Sequence, residues 1–306
     1  MSMPRRPFAV SAALALALGL TAGCSNSSPP TDDPSVSVVA AFYPLQFAAE
    51  RVGGDLVTVT GLTKPGAEPH DLELSPQQIA ELSRADVVFY EGGFQPAVDE
   101  AVAQVDAGRA MDVSASARLI TDTTSATDST PGTDPHFWLD PTRLADVATA
   151  MGAQLAKADP ANATAYTANA QRLVGELTTL DGELRAGLAT CANRDLVTSH
   201  AAFGYLADRY DLTQVPISGI SPEAEPDARA IQQVAERVRA LGVTTVYSET
   251  LVSPALAETI ARETGAKVAV LDPIEGLTDA NTGANYLSIM RTNLQTLQTG
   301  QECASA

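Results

Sequence analysis

PANATAYTANAQRLVGELTTLDGELRAGLA, residues 160 to 189, decides how this chain is built. Its only proline is at the first position, where a helix tolerates one. Leu173, Leu177, Leu180, Leu184 and Leu188 recur at spacings of four and three, so they line one helical face. Such a helix would run about 45 Å at a rise of about 1.5 Å per residue. It lies between two regions of a different pattern. A helix of that length between them is a strut, unlike a flexible linker.

Upstream, short β-branched runs alternate with amphipathic segments. VSVVAAF, DLVTVTGL and DVVFYEGG read as strands, and PLQFAAERVGG, SPQQIAELSRA and PAVDEAVAQV as helices. DPTRLADVATAMGAQLAKAD is a further helix leading into the strut. Downstream the rhythm returns. DLVTSH, TQVPIS, VTTVYSE and KVAVLDP read as strands, while AAFGYLADRY, PDARAIQQVAERVRALG, PALAETIARETG and NYLSIMRTNLQTLQ read as helices. Alternation at this pace implies parallel sheets made of βαβ units. The expected fold is therefore α/β, with two (β/α) lobes joined by a long rigid backbone helix. The expected divisions are a signal peptide over residues 1–23, an anchor and tether over 24–35 and an N-terminal lobe over 36–159. The inter-lobe helix then occupies 160–189 and a C-terminal lobe 190–306.

The first residues carry Arg5 and Arg6 and no acid, FAVSAALALALGL runs apolar from Phe8 to Leu20, and TAGC follows. A basic start, a short apolar run and small residues make an export signal, too short for a spanning helix of roughly 20 residues. LTAGC resembles a bacterial lipobox, with Thr21 where that motif usually has Leu, Val or Ile. The resemblance implies that Cys24 is lipidated and becomes the first mature residue. SNSSPPTDDPS, polar and proline-rich, then serves as a flexible tether. The expected location is extracytoplasmic, lipid-anchored to the outer face of the cell membrane.

With Cys24 used by the anchor, Cys191 and Cys303 remain, in a compartment that permits disulfides. They are expected to form one bridge, pinning the C-terminal tail to the start of the second half of the chain; two free thiols are the alternative, since spacing does not show that the sulfurs meet. The chain holds 37 acidic residues against 19 Lys and Arg, a formal charge of −18. No basic patch for nucleic acid is present, and the acidic surface attracts cations over a distance.

Only three histidines occur. His70 lies in PGAEPHDLELSP after a strand, His136 in DPHFWLDP ahead of a helix, and His200 ends the strand DLVTSH. Asp272 ends VAVLDP and Glu249 ends VTTVYSE. Taken singly, each histidine reads as a loop or capping residue. Together they occupy strand ends and loops leading into helices, where ligands of open α/β sheets gather. Three imidazoles and one carboxylate make a tetrahedral N/O set that zinc accepts. Separations of 66, 64 and 72 residues along the chain exclude a compact finger and imply a site assembled between the lobes. Trp138, the single tryptophan, is expected to pack beside it.

PGAEPHDLELSP, DPHFWLDP, TSHAAFGYLADRYDL, YSETLVSP and VLDPI together resemble the zinc and manganese solute-binding proteins of bacterial ABC transporters. The resemblance runs from about Val36 to the C-terminus. It implies that His70, His136, His200 and Asp272 are the metal ligands, one pair from each lobe. Manganese-specialised members often carry glutamate where this chain has His200, and nitrogen donors favour zinc. Manganese is the alternative cargo. Glu249 is expected to orient a ligand histidine through its far ring nitrogen; donating an oxygen to the metal or capping the next helix are the alternatives. Many zinc members carry a histidine-rich loop before the second ligand. Here the corresponding loop, Thr121 to Asp134, has no histidine; it is expected to gate access.

The expected function is capture of Zn(II) outside the cell and its delivery to an ABC permease driven by a separate ATPase, by a monomer that is not an enzyme. Four protein ligands close the shell that a catalytic zinc leaves open. No His-Glu-x-x-His, Gly-x-Ser-x-Gly or Walker loop occurs. The rivals are a metallohydrolase with Glu249 as base and a metal-stabilised adhesin lipoprotein. Ligand imidazoles must lose their protons, so affinity is expected to fall below about pH 6.5.

Overall fold

The computed structural model describes residues 35–120, 133–222, 226–278 and 283–304. The signal, the Cys24 anchor, the tether up to residue 34 and residues 121–132 of the loop before His136 lie outside the described residues.

The N-terminal lobe begins with β1 (Val36–Ala40), α1 (Tyr43–Gly53) and β2 (Val57–Gly61). It continues with α2 (Pro76–Arg84), β3 (Val87–Tyr90), α3 (Pro96–Val102), β4 (Ala110–Asp112) and the one-turn α4 (Ser114–Ala117). The strand order is β2-β1-β3-β4, with every pair parallel. Only β4 has no counterpart among the strands expected from sequence, because three residues are too few to display a period. Proline at the start and basic residues at the end delimit α1 and α2. A reciprocal box between Ser75 and Gln78 also fixes the start of α2.

The C-terminal lobe repeats that plan. It comprises β5 (Asp195–Thr198), α7 (Gly204–Arg209), β6 (Thr213–Pro216), α8 (Ala228–Leu241), β7 (Thr245–Ser248), α9 (Ala255–Thr264), β8 (Lys267–Val270) and α10 (Tyr286–Gly300). Its parallel order is β6-β5-β7-β8. A disulfide joins Cys191, ahead of β5, to Cys303, just past α10.

Between the lobes run α5 (Pro141–Ala158) and α6 (Ala163–Leu188). The expected strut is shortened at its start, where Pro160–Asn162 is a 3₁₀ turn. The 26 residues of α6 still reach about 39 Å. Leu173, Leu177, Leu180, Leu184 and Leu188 are all buried, as their spacing predicts. Each contributes about 1.5–3 kcal/mol on burial. The helix packs on α5 and α1 along one part and on α10 along another. Polar ties follow the same division. Arg51 of α1 binds Glu176 at 2.5 and 2.6 Å, Arg209 of α7 binds Asp181 at 2.8 and 2.9 Å, and Arg291 of α10 binds Glu183 at 2.7 and 3.1 Å. Partly exposed pairs of this kind contribute about 0–1 kcal/mol, so the leucine stripe does most of the holding.

One buried apolar cluster runs from β1 and β3 through α5 and α6 into α7 and α10. A second, smaller one packs α8 and α9 on β5, β6 and β7. The strut therefore shares a continuous core with both lobes, and among the described residues none of its helices is long and apolar enough to cross a membrane.

Candidate metal centre

His70 stands in the loop between β2 and α2. Its backbone N–H donates to Glu68 Oε1 at 3.1 Å, and the edge of its ring meets Phe94 with centroids 4.8 Å apart. Gln95 secures the same loop by donating to the Pro69 carbonyl at 3.1 Å. His136 immediately precedes the 3₁₀ turn Phe137–Leu139 and is fully buried. Both its backbone N–H and its Nδ1 donate to Asp134 Oδ1, at 2.9 and 2.8 Å. His200, also fully buried, lies just past β5. Its backbone N–H donates to Glu249 Oε1 at 2.9 Å, and its Nδ1 donates to Glu249 Oε2 in a close contact.

These contacts settle the tautomers. An ionised carboxylate only accepts hydrogen bonds, so the Nδ1 atoms of His136 and His200 carry protons. Their Nε2 atoms are left to face the centre, as in metal-ligating histidines held by an outer carboxylate. Glu249 thus grips the far ring nitrogen of His200. Asp134 does the same for His136; a sequence reading attentive to the Asp-x-His spacing would have found it.

The three Nε2 atoms converge on Glu275, not on Asp272. Glu275 Oε1 is 2.9 Å from His136 Nε2, 3.2 Å from His200 Nε2 and 3.4 Å from His70 Nε2. His136 Nε2 is 3.3 Å from His70 Nε2 and 3.4 Å from His200 Nε2. Four donors about 2.0–2.1 Å from a tetrahedral zinc would stand about 3.3–3.4 Å from one another. The donor set also fits: three imidazoles with one carboxylate suit zinc and do not suit calcium or magnesium, which take oxygen. Among the described residues this is the one group of three or more His, Cys, Asp or Glu so disposed.

The expectation that Asp272 supplies the carboxylate is thus corrected in favour of Glu275. Asp272 Oδ1 turns back into its own loop and accepts the Ile274 N–H at 2.8 Å. Asn293 of α10 donates to the Asp272 carbonyl at 2.7 Å and accepts its N–H at 3.0 Å. Ile274 then adopts φ 58°, an outlying conformation for a β-branched side chain, and the chain turns so that the next residue faces the histidines. The sequence does show a second acid three residues on, in DPIEG, but not which of the two faces inward.

Charge is distributed accordingly. Burial raises the Glu275 carboxyl, but hydrogen bonds and attraction from the three histidines outweigh it, and Glu275 is held well below the usual carboxylate range. His200 is lowered by burial and raised more strongly by Glu249 and Glu275, to about 10. The same opposition, with Asp134 and Glu275, raises His136. Burial dominates at His70 and lowers it. Burial, with the Glu275 charge beside it, pushes Glu68 up to about 8.

Trp138 is fully buried beside the centre, its ring 5.3 Å from that of His136. It also bolts the lobes together, its Nε1–H donating to the Pro273 carbonyl at 2.7 Å while Tyr286 Oη donates to its own carbonyl at 2.5 Å.

Comparison with known proteins points to zinc-binding relatives. The family described as "ZnuA: Zinc-uptake complex component A periplasmic" matches residues 38–300. The "Zinc-binding lipoprotein AdcA" of Streptococcus pneumoniae is 34% identical over 288 residues, 90% of this chain and 57% of that protein. The chain therefore spans about half the length of the streptococcal relatives it matches. The "High-affinity zinc uptake system protein ZnuA" of Bacillus subtilis is 32% identical over 299 residues, 91% of this chain and 93% of that one. Among solved structures, the Zn(II)-bound ZnuA-like domain of S. pneumoniae AdcA has a TM-score of 0.74 at 32% identity, covering 88% of this chain and 99% of that one. The laminin-binding protein Lmb of Streptococcus agalactiae, described as having adhesin and metal-transporting activity, has a TM-score of 0.77 at 31% identity, covering 87% and 99%.

Proposed function

The chain belongs to the family of periplasmic zinc-uptake component A, and we propose that it captures one zinc ion between its lobes outside the cytoplasm and delivers it to an ABC permease. His70, His136, His200 and Glu275 hold the ion. The observation that carries this reading is the set of donor separations, 2.9 to 3.4 Å, close to those of a four-coordinate ion with bonds of about 2 Å. Four protein donors leave no position for an attacking water, so the protein binds and does not turn over substrate. Three nitrogens favour zinc over manganese. The relative's name as a lipoprotein supports attachment through Cys24, and a permease, its ATPase and a monomeric state complete the reading.

Because His200 is raised to about 10, it holds a proton at neutral pH and releases it when the ion enters, and His136, shifted in the same direction by Asp134 and Glu275, adds to that release. Affinity therefore keeps rising with pH through 7, above the window expected from an unperturbed imidazole. Calorimetric zinc titration of chelator-stripped protein, in buffers of different ionisation enthalpy, tests this. The expected result is one tight site per chain, proton release on binding, and manganese orders of magnitude weaker. Absence of a tight site, or equal manganese binding, would overturn the zinc reading.

A further inference from the structure

The loop that carries Glu275 is fixed at both ends and strained in the middle. Asn293 grips both backbone groups of Asp272, Trp138 holds the Pro273 carbonyl, and the Leu277 carbonyl accepts the Gly66 N–H at 2.7 Å. Two of these holds, Trp138 and Gly66, come from the opposite lobe. Between them, Ile274 is fully buried and left-handed, and its N–H is committed to Asp272 Oδ1. A non-glycine residue in that region persists only when its surroundings over-determine it. Here the surroundings are the Asp272 carboxylate and the Asn293 amide. Without them the chain relaxes to φ < 0, and Glu275 leaves the position from which Oε1 meets all three Nε2 atoms.

Resting on the metal-capture reading above, we propose that Asp272 and Asn293 are positioning residues: through the strained Ile274 turn they hold the Glu275 carboxylate at the metal. Neither touches the ion. Their contribution is to affinity and to the rate of metal release, and it exists only while Glu275 is there to be held.

Asp272→Ala, Asp272→Asn, Asn293→Ala, Glu275→Gln and the Asp272→Ala/Glu275→Gln pair, all in the full chain, separate the alternatives. Zinc affinity is read by chelator competition and geometry by the visible spectrum of bound Co(II). Apo melting is the folding control. Asp272→Ala and Asn293→Ala are expected to weaken zinc about 10–100-fold and to shift the Co(II) bands to those of Glu275→Gln. Asp272→Asn keeps an oxygen for the Ile274 N–H and is expected to stay within about threefold of the parent. On the Glu275→Gln background, Asp272→Ala should cost almost nothing more. The inference is overturned if Asp272→Ala costs the same factor with or without Glu275, or leaves the Co(II) spectrum unchanged. An Asp272→Asn variant as weak as Asp272→Ala would instead make Asp272 a ligand. If Glu275→Gln itself leaves zinc affinity intact, the ligand assignment fails, a different result from failure of the positioning. Should Asp272→Ala not fold, Asn293→Ala and Asp272→Asn carry the same test.

Discussion

The two lobes have the same strand order but use it differently. In the N-terminal lobe Ala40 pairs with Phe89, and in the C-terminal lobe Thr198 pairs with Tyr247. Counting two residues on from each pair, Phe42 and Glu91 occupy the places that His200 and Glu249 occupy in the other lobe. At the end of β7 a buried glutamate orients a ligand histidine. At the end of β3 an equally buried glutamate faces no histidine, because its counterpart is a phenylalanine packed edge-on to Phe94 and tilted against Trp138. The N-terminal lobe instead brings its two ligands on loops, with Asp134 as the orienting carboxylate. A repeated scaffold thus supplies equivalent strand ends, and residue identity decides which of them becomes part of the site.

The comparison is broken most severely by removing a ligand from each lobe. His136→Ala and His200→Ala should each weaken zinc by more than about a hundredfold, since even loss of an orienting partner costs 10–100-fold. The apo fold should survive in both, because the strut and the shared core do not depend on the site. Chelator competition and circular dichroism check both points. Undiminished affinity in either variant would remove that histidine from the site.

A smaller effect distinguishes the two orienting carboxylates. Glu249 reaches His200 from a separate strand and engages it with both oxygens, whereas Asp134 sits two residues from His136 and uses one. His136 also keeps the packing of Trp138 when Asp134 is removed. Glu249→Ala should therefore weaken zinc towards the upper end of 10–100-fold and Asp134→Ala towards the lower. The reverse order would mean that local turn geometry, not the cross-strand grip, dominates orientation.

Much of this arrangement is legible in the chain. The leucine spacing of residues 173 to 188 gives the strut, alternation gives two parallel sheets, and the placing of three histidines at strand ends and loops gives the nitrogen donors. The fourth donor is not legible, because the choice between Asp272 and Glu275 depends on one backbone dihedral at Ile274. That dihedral is held by the Asp272 carboxylate together with Asn293, about twenty residues downstream, and by no preference of isoleucine itself. Strand β4 escapes for a different reason: three residues carry no period, and only pairing with β3 makes them a strand. Both omissions are tertiary decisions.

The smallest expected effect concerns Glu91, the glutamate left without a histidine. It is 3% exposed, and its Oε2 has no hydrogen-bond partner among the described residues. Burial first, then the charges of Asp134, Asp112 and Asp99, push its carboxyl well above the usual range. The folded chain therefore keeps a proton that the unfolded chain releases above about pH 4.5. Fewer protons are bound on unfolding, so this residue makes stability fall as pH rises from that point until its folded-state value is passed. Glu91→Gln removes the ionisation while keeping the shape. The variant should lose that part of the pH slope and be the more stable of the two at pH 7, with zinc affinity unchanged. Urea midpoints of both proteins at pH 5 and pH 8 decide the matter. Parallel pH slopes would mean that Glu91 is ionised and partnered in the fold, and weakened zinc binding would mean that the N-terminal lobe retains a working copy of the Glu249 arrangement after all.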